Sequence, residues 1–273
     1  MKNILITGCS SGIGYYSAKA LKAKSFNVLA TVRNVTDKAR LENEGLDVIL
    51  MDMQKEASIE QGFDEAMTYF DGKLDALFNN AGFGQCGAIE DLPTDALRNQ
   101  FETNVFGVHT LTRKALPVMH NQGHGRIIQH SSVLGFAALS FRGAYNASKF
   151  ALEGLTDTLR LELIDSPIHV SLIEPGPVES QFRANALKAF KAEIDVENSR
   201  YKAEYTKQIE RLEAEKSLKG AEGPEAVFDK LWHALTSNKP KARYYVCKQT
   251  HLIAWLKRFL PTRIIDRILA RNA

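Results

Sequence analysis

The sequence predicts an α/β fold in three layers, a doubly wound parallel sheet with helices on both faces. Three observations point there. Short apolar runs of strand length alternate with amphipathic stretches of helix length along most of the chain. The first such run, 3–7, passes straight into a glycine-rich turn, Gly8-Cys-Ser-Ser-Gly12-Ile-Gly14, and then into a helical pattern reaching about Lys24. Finally, the residues able to do chemistry fall at the carboxyl ends of the strand-like runs, where open parallel sheets place their ligands.

With 273 residues, 44% hydrophobic and 25% charged, the chain suffices for a single catalytic domain spanning 1–273, and no linker favours two. The apolar amino terminus is far shorter than a signal peptide or a membrane span, which predicts a cytoplasmic protein. Cys9, Cys86 and Cys247 are scattered, so neither a disulfide framework nor a zinc site is indicated. His120 and His124 stand at ligand spacing but flank a turn-like NQG, and no metal is expected. Charge is uneven: 239–273 holds nine Lys/Arg against Asp266 alone, a local +8 within a whole-chain +3 that leaves about −5 elsewhere. No nucleic-acid motif accompanies the basic tail, so nucleic acid is not an expected partner.

Taken in order, the glycine turn admits close backbone approach, and the free N–H groups and dipole at the following helix start attract a pyrophosphate. Its spacing, G-x-x-x-G-x-G, departs from the common G-x-G-x-x-G. A second strand, 27–32, ends at Arg33, whose guanidinium suits either a ribose 2′-phosphate or plain solvent. The third, 47–51, ends at Asp52, an acceptor for an adenine amino group or an ordinary turn aspartate. After a helix over 56–69, a fourth strand stops at Asn79-Asn80-Ala81-Gly82, small enough for backbone or cofactor to come close. Asn104 lies within an apolar-faced helix over 94–119, as a functional or a structural hydrogen-bonding hinge.

A fifth strand, 126–132, ends in Ser132. Gly135 and Gly143 mark a loop, and a helix over 145–163 puts Lys149 one turn beyond Tyr145 on the same face. An adjacent ammonium favours phenolate and lowers such a pKa by about one to three units, towards general acid-base work. The same Tyr-x-x-x-Lys spacing occurs at Tyr15/Lys19, Tyr69/Lys73 and Tyr244/Lys248, so context alone singles out this pair. A sixth strand, 168–173, leads to the stiff corner Glu174-Pro175-Gly176-Pro177-Val178-Glu179-Ser180. The βα alternation then lapses. Residues 181–222, rich in Ala, Lys and Glu with little periodic apolar face, are expected to form a helical lid or exposed insertion. A helix over 224–235 and a strand over 243–246 resume the core. The C-terminal extension, 249–273, reads as two short amphipathic helices divided by Pro261. Its basic, apolar faces suit packing over the substrate mouth, an anionic membrane or a subunit interface, and their shortness favours the first.

Together, Thr7-Gly8-x-x-x-Gly12-x-Gly14, Asn79-Asn80-Ala81-Gly82, Asn104, Ser132, Tyr145-x-x-x-Lys149 and Pro175-Gly176 resemble the short-chain dehydrogenase/reductase family, in order over about the first 180 residues. The turn wording, Arg33 and the long extension look most like retinol- and 17β-hydroxysteroid-dehydrogenase-type members and related bacterial aldehyde reductases. Ser180 stands where the family has threonine, so a phosphate-facing hydroxyl is kept.

The resemblance implies a Rossmann sheet of order 3-2-1-4-5-6-7. It assigns the acid or base to Tyr145, its activation and the nicotinamide ribose to Lys149, the substrate oxygen to Ser132 and a relay water to Asn104. Gly8, Ser10, Ser11, Gly12, Ile13 and Gly14 would line the pyrophosphate. Arg33, Asp52, Asn79, Ala81, Gly82, Pro175, Gly176, Val178 and Ser180 would complete the dinucleotide site, with Val178 meeting the carboxamide through its backbone. The expected cofactor is NADP rather than NAD, and the expected assembly a homodimer or homotetramer. Leu134, Phe136, Ala137, Ala138, Leu139, Phe141 and Phe83 predict an apolar wall near the reacting carbon, unless several are core. The expected activity is interconversion of an apolar aldehyde or ketone with its alcohol. The competing expectation is a dinucleotide-binding redox sensor without turnover.

Overall fold

A computed structural model of the chain describes residues 2–213 and 220–270. Seven parallel strands, β1 (Asn3–Ile6), β2 (Asn27–Val32), β3 (Asp47–Leu50), β4 (Ala76–Asn79), β5 (Gly125–His130), β6 (Ile168–Glu174) and β7 (Arg243–Tyr245), lie in the order β3-β2-β1-β4-β5-β6-β7. Alternation of side chains along β1 divides the core. Ile4 and Ile6 join Phe78, Leu21 and Leu231 on one face, while Leu5 joins Leu77, Ile127, Phe63, Leu111 and Leu152 on the other. Helices α1 (Gly12–Ala23) and α9 (Pro224–Thr236) cover the first face, and α3 (Glu56–Tyr69), α5 (Gly107–Gln122) and α6 (Gly143–Glu162) the second.

Several elements depart from expectation. A helix absent from the sequence prediction, α2 (Val35–Asn43), links β2 to β3. Leu41 is its single buried residue, too faint an apolar signal to register, and Asn34 caps it by accepting from the Asp37 amide at 2.8 Å. The helix expected over 94–119 is α4 (Thr94–Phe101) and α5 joined by a π-helical turn, Glu102–Phe106. Strand β5 ends at His130, so Ser132 stands two residues past the sheet and caps a short turn, accepting from the Leu134 amide at 3.1 Å.

The insertion is better built than its composition suggested. Helices α7 (Phe182–Glu193) and α8 (Lys202–Glu213) form a third apolar cluster, with Ala186, Phe190, Ile194 and Tyr205 buried against Cys86 and Ala88. Ala186 and Phe190 are one turn apart, and the face is hard to read because polar Arg183, Asn185, Lys188 and Lys191 are interleaved with it.

The extension forms α10 (Lys248–Phe259) and α11 (Thr262–Ala270). It docks through buried Thr250 and Ile265 and a Lys257 Nζ bond to the Phe136 carbonyl, yet Leu252, Trp255 and Phe259 remain exposed. No described residue beyond Ala221 lines the central cleft, so the tail does not cap the substrate mouth as expected. Among the described residues no helix is long and apolar enough to cross a membrane.

Candidate active site

The carboxyl ends of β1, β4, β5 and β6 open onto a cleft of about 500 Å³. At one wall the chain turns from β1 into α1. Gly8 has φ +70°, and a Cβ there would stand 2.7 Å from Ala81 Cα; one on Gly14 would stand 2.4 Å from the Gly8 carbonyl oxygen. These contacts pin the glycine turn to the end of β4 and leave no room for side chains. Thr7 Oγ1 accepts from the Asn80 and Ala81 amides at 3.0 and 2.9 Å, and Asn80 Nδ2 donates to the Thr7 and Gly8 carbonyls. Ser11 makes no side-chain cap on α1, so the first-turn N–H groups keep their capacity for an anion. Ser10, Ser11 and Gly12 share a recess with Tyr15, Arg40, Ser180 and Gln181.

Not every expected cofactor residue faces this space. Asn79 is 1% exposed, and its amide donates inward to Thr112 and Gln129, so its side chain cannot touch a ligand in the cleft. Asn80 lines the cleft instead, together with Ile13 and Gly82. Adjacent residues on a strand face opposite sides, which is why one is lost to the core. Asp52 accepts from the Gln54 amide at 3.1 Å and lies 3.7 Å from Lys55 Nζ. Arg33 is exposed at the end of β2, and none of the described ion pairs engages it. The arginine that reaches the glycine turn is Arg40 of α2, which donates to the Ser10 carbonyl at 2.5 Å while paired with Asp37 and Glu44. It was missed because α2 itself was missed.

The chemical end of the cleft is built by the loop after β5 and by α6. Tyr145, 8% exposed, packs edge-on against Phe182, and Lys149 Nζ lies 5.7 Å from its ring centroid. Lys149 Nζ donates to the His130 carbonyl at 2.6 Å, which fixes the ammonium beside β5. Ser132 lines the same cleft at 8% exposure. Asn104 is wholly buried. It exchanges hydrogen bonds with the Phe83 backbone and donates to Ser148 Oγ at 3.1 Å, tying the π-helical turn to α6.

Electrostatics here differ from expectation. Burial pushes the Tyr145 phenol up to about 12, against an opposing hydrogen bond from Ser132, so the anticipated lowering by Lys149 does not prevail. Burial also brings Lys149 down to about 8, partly countered by Glu153 one turn further along α6. His130 is held neutral, near 3, by burial and then by the Lys149 charge. Behind this group, Arg243 of β7 bonds both Glu153 and Glu174, whose carboxyl is pushed up by burial and then by the Glu153 charge.

Of the expected apolar wall, Leu134 and Leu139 line the cleft. Phe136, half-buried, packs on Tyr245, and Phe141, partly buried against the third cluster, on Tyr201 and Tyr205. The insertion supplies what the sequence left out: Phe182, Ala186 and Leu212, with Arg183, Gln208 and Arg211.

A cleft at the carboxyl ends of a seven-stranded parallel sheet, bordered by a glycine turn and lined by Tyr145, Lys149 and Ser132, defines a class, and comparison agrees. A family model described as short chain dehydrogenase matches residues 2–190. The uncharacterized oxidoreductase YbbO of Escherichia coli strain K12 is 43% identical over 268 residues, 98% of this chain and 94% of that protein. The NADPH-dependent 3-dehydrocapnine reductase of Ornithobacterium rhinotracheale is 30% identical, over 100% and 97% of the two chains. A short-chain dehydrogenase/reductase from Burkholderia phymatum, solved in complex with NAD, superposes with a TM-score of 0.78 at 26% identity, covering 94% of this chain and 92% of that one. The chain belongs to the short-chain dehydrogenase family, and it is an oxidoreductase of that type.

Proposed function

We propose that the protein is an NADP(H)-dependent oxidoreductase that interconverts an aldehyde or ketone with its alcohol on a substrate with an apolar body. The supporting observation is the meeting of a buried phenol, an ammonium and a serine hydroxyl in the cleft that the glycine turn borders. That turn fits a dinucleotide, since its first-turn N–H groups carry no side-chain cap and it borders the recess that Ser10, Ser11 and Gly12 line. The cofactor, when bound, supplies or accepts the hydride. The chain's own residues handle the proton: Tyr145, kept protonated at neutral pH by burial, gives it to the carbonyl oxygen while Ser132 donates a hydrogen bond to that oxygen. Lys149 holds positive charge beside the phenol and binds the ribose, and Asn104 holds a relay water behind it. Gly8, Ser10, Ser11, Gly12, Ile13, Gly14 and Ser180 cradle the pyrophosphate, and Val178 meets the carboxamide. Exposed Arg33 favours a 2′-phosphate, in keeping with the NADPH-dependent relative, although the Burkholderia phymatum structure holds NAD.

Helices α7 and α8 act as the lid over this cleft. Exposed Phe106, Phe150, Leu155 and Leu161 on the turn before α5 and on α6 suit a homo-oligomer interface. Trp255 and Phe259, beside Lys257 and Arg258, suit peripheral contact with an anionic membrane from the cytoplasm.

The test is Tyr145→Phe, which keeps the ring packing and removes the proton. Carbonyl-dependent NADPH oxidation should fall by about 10²–10⁴-fold while NADPH binding, followed by its fluorescence, persists. A variant retaining more than about a tenth of the wild-type rate removes Tyr145 from this role.

A further inference from the structure

We propose that the cleft contains an anion subsite made by Arg142 and Arg211, with Arg183 beside them, so that the substrate is an amphiphile bearing a carbonyl, an apolar stretch and a carboxylate or phosphate. The proposal rests on the reading of this cleft as a carbonyl-reducing site and specifies what that site accepts.

Three arginines enter one cavity from three elements: Arg142 from the residue before α6, Arg183 from α7 and Arg211 from α8. All three are half-buried. Arg142 donates to the Phe141 carbonyl at 3.0 Å and to Gln208 Oε1 at 3.3 Å, which aims its guanidinium towards α8. Gln208 and Arg211 are three apart on α8 and share a face.

Among the described residues, no carboxylate lies within ion-pair distance of Arg142 or Arg211, whereas elsewhere in the insertion Lys191 pairs with Glu213 and Lys202 with Glu197. The argument stands on these two; Arg183 adds charge. Glu179 is the one acid among the described lining residues, against these three arginines and Lys149. Burial and the charges of Arg142 and Arg183 depress the Arg211 pKa, which marks repulsion that an anion would relieve.

Guanidinium forks bind carboxylate and phosphate in bidentate fashion. The same lining includes Leu139, Phe182, Ala186 and Leu212 with Tyr145, which accounts for the apolar stretch.

The experiment compares ω-oxo carboxylic acids of increasing chain length with their methyl esters and with matching ω-oxo alkyl phosphates, reading KM and kcat for each with NADPH. Calorimetry adds an unreactive alkanoate, the alkyl phosphate and the corresponding alcohol. The acids or phosphates should show KM roughly tenfold to a hundredfold below the esters, and the anions should bind more tightly than the alcohol. Whichever anion gains more identifies the source. Arg211→Gln should collapse the ratio, and Arg211→Lys should restore part of it, with KM for NADPH unmoved. Equal KM for acid, phosphate and ester overturns the subsite while leaving the oxidoreductase intact. A rise in KM for NADPH in the Arg211 variants overturns it too, assigning the arginines to the cofactor. Tight anion binding without turnover of any carbonyl keeps the subsite and defeats the underlying reading instead.

Discussion

At the scale of single residues, burial outweighs pairing at the reacting end. Tyr145 and Lys149 were expected to act by mutual charge, the ammonium drawing the phenol down. In the fold both are desolvated, and each moves towards its neutral form, the phenol to about 12 and the amine to about 8. Lys149 is therefore the group that titrates near working pH. If its ammonium is the active form, kcat/KM for carbonyl reduction should be flat at lower pH and fall as pH rises through about 8. A profile flat to about pH 10, near the unshifted lysine value, would contradict this. Arg33 carries the second residue-scale prediction. With no described ion pair to hold it, Arg33→Ala should cost roughly tenfold to a hundredfold in NADPH affinity and little in NADH affinity, by fluorescence titration. Equal losses for both would shift the assignment to Arg40, which already reaches Ser10.

Among the elements, α8 is decisive, because Gln208, Arg211 and Leu212 on it line the cleft and it is anchored at one fully buried side chain. Tyr205 Oη donates to Asp91 at 2.5 Å and accepts from the Ala88 amide at 2.9 Å, while its ring packs on Phe141, Phe190 and Tyr201. Tyr205→Phe keeps the packing but leaves a buried N–H unpaired, a cost of about 1–3 kcal/mol. Because the anchor joins the insertion to the loop after β4, the cost should be local. We expect faster limited proteolysis within 181–222 and a raised substrate KM, with a small change in the global unfolding midpoint. Unchanged proteolysis would mean that the cluster holds without the hydroxyl.

For the whole molecule, the telling feature is the carboxylate pair Glu153 and Glu174, brought together by α6, β6 and β7 and bridged by Arg243, which also meets Asp157 at 2.7 Å. Glu174 is fully buried, and its raised pKa means that the folded state keeps a proton the unfolded chain has released. The folded state thus binds more protons above the ordinary carboxylate range, so this group's stabilisation, complete at acid pH, is lost as pH rises through neutrality. Glu174→Gln removes the titration. In urea unfolding at about pH 5 and about pH 8, the stability of wild type relative to the variant should be greater at the lower pH. A constant difference would show that Arg243 keeps both carboxyls charged throughout.

The order of elements and the grouping of Ser132, Tyr145 and Lys149 at one cleft were legible from sequence because their signals are local. A buried strand needs an unbroken apolar run, a phosphate turn needs glycines where side chains would collide, and Tyr145 and Lys149 are one helical turn apart whatever surrounds them. Where the signal was weak, as in α2 with Leu41 alone buried, the prediction failed and Arg40 went with it. Facing was beyond reach for neighbours such as Asn79 and Asn80, since alternation says that they part but only the packed sheet says which one turns inward. The tertiary structure alone decided the rest. Arg142, Arg183 and Arg211 share a cavity, and Glu153 meets an arginine 90 positions away, because long-range packing, which no local pattern encodes, fixes which buried charges must live with one another.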